Sequence, residues 1–258
     1  MLQASSAILE FLHLRDPLRA VVSLAAEFQI PRVVPQILQA RPHDQSLFTQ
    51  GLVYCDGFLF ESSGMYGRSS LRKISLTDDS IVKARMLEGG LFAEGIAIWG
   101  KALYQLTWKS RKAIVYDLMD LSPLREVTYS GEGWGLAATP IGLVMSDGSS
   151  LLTFRNENFE VLKTLRVTSH HIPLRHINDL EWAGGKIYAN VYHSTNVLEI
   201  DCETGRLTRI IDCSVLARLE QADDSAHVLN GIAYCPERNT FFLTGKCWKH
   251  LFEIHIPK

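Results

Sequence analysis

The stretch Asn230-Gly231-Ile232-Ala233-Tyr234 decides the fold, because it recurs four times in altered form. The counterparts are Gln50-Gly51-Leu52-Val53-Tyr54, Glu94-Gly95-Ile96-Ala97-Ile98, Trp134-Gly135-Leu136-Ala137 and Asn178-Asp179-Leu180-Glu181-Trp182. Each is a polar or aromatic residue, then a small or turn-forming one, then a short apolar run. With the second residue of each as the marker, the spacings are 44, 40, 44 and 52 residues. A period of about 40–50 residues with several strands per unit is the mark of a β-propeller blade.

Outward from each marker segment lie further apolar runs. The second is Phe58–Glu61, Ala102–Leu106, Gly142–Met145, Lys186–Val191 and Thr240–Thr244; the third includes Lys112–Tyr116, Asn196–Ile200 and His250–Ile254. A fourth includes Leu124–Thr128 and Leu207–Ile211. Four strands in each of five units account for residues 31–258, except that the last unit offers only three. Arg32–Leu38 precedes the first repeat and belongs to no unit. Pairing it with the last strand closes the ring and covers exposed sheet edges, and Pro35, which has no N–H, suits an outermost strand. The expected fold is all-β: a five-bladed β-propeller of four-stranded antiparallel blades, its N-terminal strand closing the last blade.

Residues 1–30 have a different texture. Ile8, Leu9 and Leu12, then Val21, Val22, Leu24 and Ala25, recur at helical spacing broken at Pro17, which predicts a short helical N-terminal extension. A degenerate secretory signal is the alternative. Against it, the apolar stretch Ala20–Ala26 is at the short limit for such a segment, and Glu10 and Asp16 lie where a basic region belongs. A cytoplasmic location is therefore expected ahead of an exported one.

Composition narrows the function. The 26 basic and 28 acidic residues leave no basic excess to grip a phosphate backbone, which argues against nucleic acid as the main partner. No apolar run approaches the roughly 20 residues that span a bilayer. Cys55, Cys202, Cys213, Cys235 and Cys247 include no CxxC pair and read as small buried hydrophobes, not as a disulfide framework or a zinc site.

In a four-stranded antiparallel blade the innermost strand starts on the rim where the second strand ends. Gln50, Glu94, Trp134, Asn178 and Asn230 therefore converge on the mouth of the central channel, joined by Trp108, Tyr192 and Lys246 from the ends of second strands. A concave, partly apolar mouth with a few polar groups is a binding site by default. Glu94 is the one acid among the five equivalent positions, and burial beside Phe92 should raise its pKa towards the working pH. Asn178 is a site candidate because Asp179 already fills the turn slot, whereas Asn230 reads as a turn brace. Lys246 sits in a constrained bend between Thr244-Gly245 and Trp248. His170, His171 and His176 lack metal-ligand spacing and read as a solvated loop, and Gly131-Glu132-Gly133-Trp134-Gly135 lacks the lysine and hydroxyl end of a phosphate loop. No metal or cofactor is expected.

Several stretches stand in order along the chain: Phe48–Leu52, Phe60–Ser70, Glu94-Gly95, Gly133–Ala137, Ser146-Asp147-Gly148, Leu229–Ala233 and Thr244-Gly245-Lys246. Together, over about residues 31–257, they resemble the glutaminyl-peptide cyclotransferases of the plant and bacterial type, the glutamine cyclotransferase family. The resemblance implies a five-bladed propeller that converts N-terminal glutamine of peptides or proteins to pyroglutamate with loss of ammonia, without the zinc of the unrelated animal enzymes. By the same resemblance, Glu94 serves first as base and then as acid, and Asn178 and Lys246 hold the carboxamide or stabilise the oxyanion, with the division between them open. Phe48 and Gln50 fall in the rim motif, and Phe92, Trp108 and Trp134 form an aromatic wall. Tyr192 stands where a further tryptophan is expected. A monomer is expected. Two other readings are a lactonase-like hydrolase with calcium ringed by Glu94, Asn178 and Asn230, and a non-catalytic propeller that binds peptides through its aromatic rim.

Overall fold

The computed structural model describes residues 29–221 and 224–258, so the helical extension and the question of a signal segment, apart from residues 29 and 30, lie outside the described residues. From the axis outward, blade 1 is Thr49–Cys55, Phe58–Ser63, Ser70–Ser75 and Ile81–Met86. Blade 2 is Ala93–Trp99, Ala102–Thr107, Lys112–Asp117 and Pro123–Thr128. Blade 3 is Leu136–Thr139, Gly142–Met145, Leu151–Arg155 and Val161–Arg166. Blade 4 is Ile177–Ala183, Lys186–Val191, Asn196–Asp201 and Leu207–Asp212. Blade 5 is Leu229–Cys235, Thr240–Gly245 and His250–His255, completed by Gln36–Pro42.

The closing segment differs from its expected form. Arg32–Val33 adds in parallel to the outer strand of blade 4, opposite Ile210 and Ile211. Gln36–Pro42 then runs antiparallel to His250–His255 as the outer strand of blade 5. One run of sequence thus ties two blades, dividing at Val34-Pro35 because a proline nitrogen cannot donate to a ladder. The all-β reading also passed over a helix, Ser214–Glu220, which lengthens the connection from blade 4 to blade 5. It accounts for much of the 52-residue spacing of the last repeat.

Apolar side chains fill the spaces between neighbouring sheets. Five clusters occur, one per blade interface: Phe60 with Ile96 and Leu103, Leu106 with Leu143, Phe154 with Ile187, Val197 with Phe252, and Leu52 with Phe242. Cys213 and Cys235 are buried in these cores as expected, but Cys55, Cys202 and Cys247 are only half-buried; all five are free thiols.

Around the axis the inner strands approach backbone to backbone. A Cβ on Gly51 would lie 2.8 Å from Gly95 Cα, one on Gly95 2.7 Å from Gly135 Cα, and one on Gly135 2.0 Å from the Asn178 carbonyl oxygen. In the fourth repeat Asp179 replaces the glycine, and its Oδ2 accepts hydrogen bonds from Ile232 N at 3.0 Å and Leu52 N at 3.3 Å. That carboxylate ties blade 4 to blades 5 and 1.

At the junction of blades 5 and 1, His43 is nearly enclosed. Its Nε2 lies 2.9 Å from Glu61 Oε1 and its Nδ1 2.7 Å from the Trp248 carbonyl oxygen. Burial alone would lower its pKa, but the charge and hydrogen bond of Glu61, with the Trp248 carbonyl, outweigh burial and raise it from 6.5 to about 9. Both ring nitrogens then donate.

Two outcomes follow. Gly135→Ala should cost about 3 kcal/mol of stability, because its methyl group meets backbone that cannot rotate away; an unchanged urea midpoint would refute the close-approach account. The His43 pair contributes stability that is complete below about pH 6.5 and is lost as pH rises through about 9, since only the folded chain holds the proton in that window. Urea unfolding should lose about 2 to 3 kcal/mol across that range, and His43→Gln should flatten the dependence.

Candidate active site

Four of the five inner strands carry a β-bulge at the same place. Register shifts fall between Thr49 and Gly51, Ala93 and Ile96, Ile177 and Leu180, and Leu229 and Ile232. The extra residue re-aims a side chain that would otherwise follow the pleat, and these are the positions of Gln50, Glu94, Asn178 and Asn230. In blade 3 the inner strand begins only at Leu136, and Trp134 precedes it on a glycine-rich turn.

A cavity of about 150 Å³ opens at this rim, close to the ~150 Å³ that admits a molecule the size of benzene. It is lined by Phe48, Gln50, Phe92, Glu94, Trp108, Trp134, Asn178, Tyr192 and Lys246. Every residue singled out for catalysis or substrate binding thus borders one cavity. Asn230 lies behind it: its Nδ2 donates to the Thr49 carbonyl at 3.0 Å and to Gln50 Oε1 at 3.4 Å, bracing its neighbour and not its own turn. Gln50 Nε2 in turn donates to Glu94 Oε1 at 3.2 Å. The histidines read as a loop are exposed, and His176 uses its backbone to join Gly148 and Tyr192.

The aromatic residues form a belt. Phe48 meets Phe92 edge-on at 6.5 Å, Phe92 meets Trp108 at 5.6 Å, and Trp134 meets Tyr192 at 5.9 Å. Two polar joints complete it. Lys246 Nζ lies 4.6 Å from the Phe48 ring centre and 5.0 Å from that of Tyr192. Glu132 Oε2 accepts from Trp108 Nε1 at 2.7 Å and from Trp134 Nε1 at 3.1 Å. Glycines leave room for the rings: a Cβ on Gly64 would sit 2.3 Å from Phe92, and one on Gly148 2.7 Å from Trp134. Backbone bonds between the loops hold the belt, from Trp108 N to Phe92 O, Gly133 N to Trp108 O, Gly95 N to Trp134 O and Cys247 N to Leu47 O. Sequence reasoning missed Glu132, which occupies no repeat position; its one signal is the placing of an acid two residues before a rim tryptophan.

Inside the belt the charges are poised. Glu94 is 5% exposed and Lys246 4% exposed. Burial is the largest influence on each, pushing the Glu94 carboxyl well above the usual range and the Lys246 ammonium down to about 8. Their mutual attraction opposes both shifts, while Asp179 and Glu132 add to the rise at Glu94. A carboxyl that readily holds a proton beside an amine that readily gives one up suits proton transfer near neutral pH. No group of three or more histidine, cysteine or acidic side chains among the described residues is arranged to hold a metal ion.

Comparison with known proteins bears on the family and the fold. The family model described as glutamine cyclotransferase matches residues 16–256. A glutaminyl-peptide cyclotransferase of Arabidopsis thaliana is 34% identical over 233 residues, covering 86% of this chain and 71% of that protein. The crystal structure of Myxococcus xanthus glutaminyl cyclase superposes with a TM-score of 0.84 at 42% identity, covering 88% of this chain and 98% of that one. A β-propeller domain of Cps50 (Swd1) from Myceliophteria thermophila, at 10% identity and a TM-score of 0.52, shares the fold alone.

The electrostatic account has a direct check. With lysines carrying ¹³C-methyl labels, Lys246 should titrate in the folded chain near pH 8 and return to about 10.4 in urea. A folded-state midpoint above about 10 would mean that the ammonium is solvated.

Proposed function

The chain belongs to the glutamine cyclotransferase family, and from that premise we propose that it is a glutaminyl-peptide cyclotransferase in which Glu94, Lys246 and Asn178 act on an N-terminal glutamine. The observation that carries this reading is one buried carboxylate at the floor of an aromatic cavity sized for a single short side chain, with an ammonium at its wall.

The chemistry closes a five-membered lactam. The α-ammonium of the substrate, with a pKa of about 8, must lose a proton before it can attack. Glu94 Oε1 is held by Gln50, which leaves the second oxygen to take that proton. The free amine then adds to the γ-carboxamide carbon. Glu94 passes its proton to the NH₂ group, takes the next from the ring nitrogen, and ammonia departs as the carbonyl reforms. The developing oxyanion needs a cation or donors preorganised in a dry site. Lys246 supplies the cation. Asn178 Oδ1 is buried and has no partner among the described residues, so it offers an acceptor for the departing NH₂ group and orients it away from Lys246. The belt excludes water, which strengthens each of these interactions. A monomer as the acting unit is likewise our proposal. No helix among the described residues is long and apolar enough to cross a membrane; a cytoplasmic location remains our proposal, resting on the weak signal-like character of residues 1–30.

Incubation with a glutamine-initiated dipeptide should release ammonia at a rate unaffected by EDTA. Loss of release on chelation would favour the metal-dependent reading, and absence of turnover the peptide binder. Glu94→Gln should lower kcat by about 10³-fold with the fold intact, in line with removal of a general acid–base group. Near-normal turnover in that variant would remove Glu94 from the mechanism. In the native chain kcat/KM should fall on acidification well above the ordinary carboxylate range of about 4, because the raised pKa of Glu94 protonates the base early.

A further inference from the structure

Apart from Lys246, the aromatic belt has one joint without a ring-to-ring contact, between Trp108 of blade 2 and Trp134 of blade 3. There a single carboxylate oxygen, Glu132 Oε2, accepts both indole N–H groups, at 2.7 Å and 3.1 Å. Resting on the cyclase reading above, we propose that Glu132 is a positioning residue that sets the separation and tilt of the two indoles between which the glutamine side chain is held.

Several features favour this over a merely solvated acid. Glu132 is half-buried and borders no part of the cavity itself, so it reaches the substrate only through the two rings. Hydrogen bonds to a charged acceptor are the stronger kind, and two on one oxygen fix two ring planes relative to each other. The turn that carries it leaves little freedom. Gly131 has φ of 85°, Gly133 packs so closely that a Cβ would lie 2.3 Å from the Tyr129 hydroxyl, and Gly133 N donates to the Trp108 carbonyl. Tyr129 is anchored in turn by hydrogen bonds with the backbone of Thr107, the residue before Trp108. The run Gly131–Gly135, which has no phosphate-binding character, is thus built to present one acid to two indoles. Lys109 adds a further hold on this wall, its Nζ lying 3.8 Å from the Trp108 ring centre. With both N–H donors committed to Glu132, neither indole competes with Lys246 for the substrate carbonyl. The charge of Glu132 is also felt at Glu94.

The test compares Glu132→Ala, which removes charge and acceptor, with Glu132→Gln, which keeps an acceptor oxygen. With a glutamine-initiated dipeptide, the alanine variant should raise KM about tenfold, since misplaced walls lose the substrate's orientation, while glutamine should restore KM to within about twofold of the native value. The indole Nε1–H resonances of Trp108 and Trp134 should move towards solvated values in the alanine variant, and those of Trp99, Trp182 and Trp248 should stay in place. The proposal falls if the alanine variant keeps a native KM, if glutamine is no better than alanine, or if the two resonances do not move. Should the native chain release no ammonia, the cyclase reading falls instead, and the indole resonances alone decide the clamp.

Discussion

The whole molecule depends on how closely five inner strands pack around one axis. Ordinary side chains would hold neighbouring strands apart; glycine at Gly51, Gly95 and Gly135 lets backbone meet backbone at distances no Cβ could share. That approach draws the strand starts together at the rim. At that same rim a bulge interrupts the ladder at four of the five starts. Three of these bulges turn Gln50, Glu94 and Asn178 into the mouth, and the fourth carries Asn230, which braces Gln50 from behind. The steric requirement that closes the ring and the display of Gln50, Glu94 and Asn178 at a common opening are therefore one feature. Asp179 shows the requirement from the other side. Where glycine is replaced, the new carboxylate lies buried and is held by two backbone donors from other blades, which offset part of its desolvation while burial still raises its pKa.

Enclosure by aromatic rings converts this display into chemistry. An exposed Glu and Lys would sit at their ordinary pKa values and exchange protons with water. Within a belt of five rings their charged forms lose solvation, and each moves towards neutrality. In the proposed reaction neither is lost to function by that move, because the substrate is itself a cation. In the proposed mechanism an α-ammonium beside Glu94 would favour the carboxylate form and deliver the proton that the reaction must displace. The two joints of the belt carry opposite charges, Glu132 between the indoles and Lys246 between Phe48 and Tyr192.

Much of this was legible in the sequence because repetition converts residue spacing into spatial position. Five marker segments sufficed to number the blades and to bring residues as distant as Gln50 and Lys246 to one rim. What repetition does not carry was harder to read. The division of residues 32–42 between two blades depends on a single proline and on which sheet edges stand open, and the second of these is a property of the closed ring. The Ser214–Glu220 helix interrupts a β-rich pattern for only seven residues, about two turns, too few for a periodic signal to stand out. Glu132 escaped for a different reason. Its partners are the indole nitrogens of two tryptophans, one of them 24 residues away, and nothing in residue type alone distinguishes a clamping carboxylate from a solvated one.

Closure of the ring and assembly of the site are mechanically one event. The strand Gln36–Pro42 ends opposite His250, and the chain then turns through His43, whose backbone N–H bonds to Lys249 and whose ring bridges Glu61 and Trp248. Four residues on, Leu47 accepts from Cys247 N, and the next residue, Phe48, accepts from Gly64 N. This short span therefore fixes blade 5 to blade 1 and, with the same bonds, sets Phe48 against the Lys246 ammonium. Loosening the outer strand would release the bonds that hold Phe48 against Lys246. A propeller held together by its termini thus has its most reactive contact beside its seam, where a partly opened ring cannot keep Lys246 buried and so cannot keep its pKa low. Only the closed molecule presents the charges in the form the reaction uses.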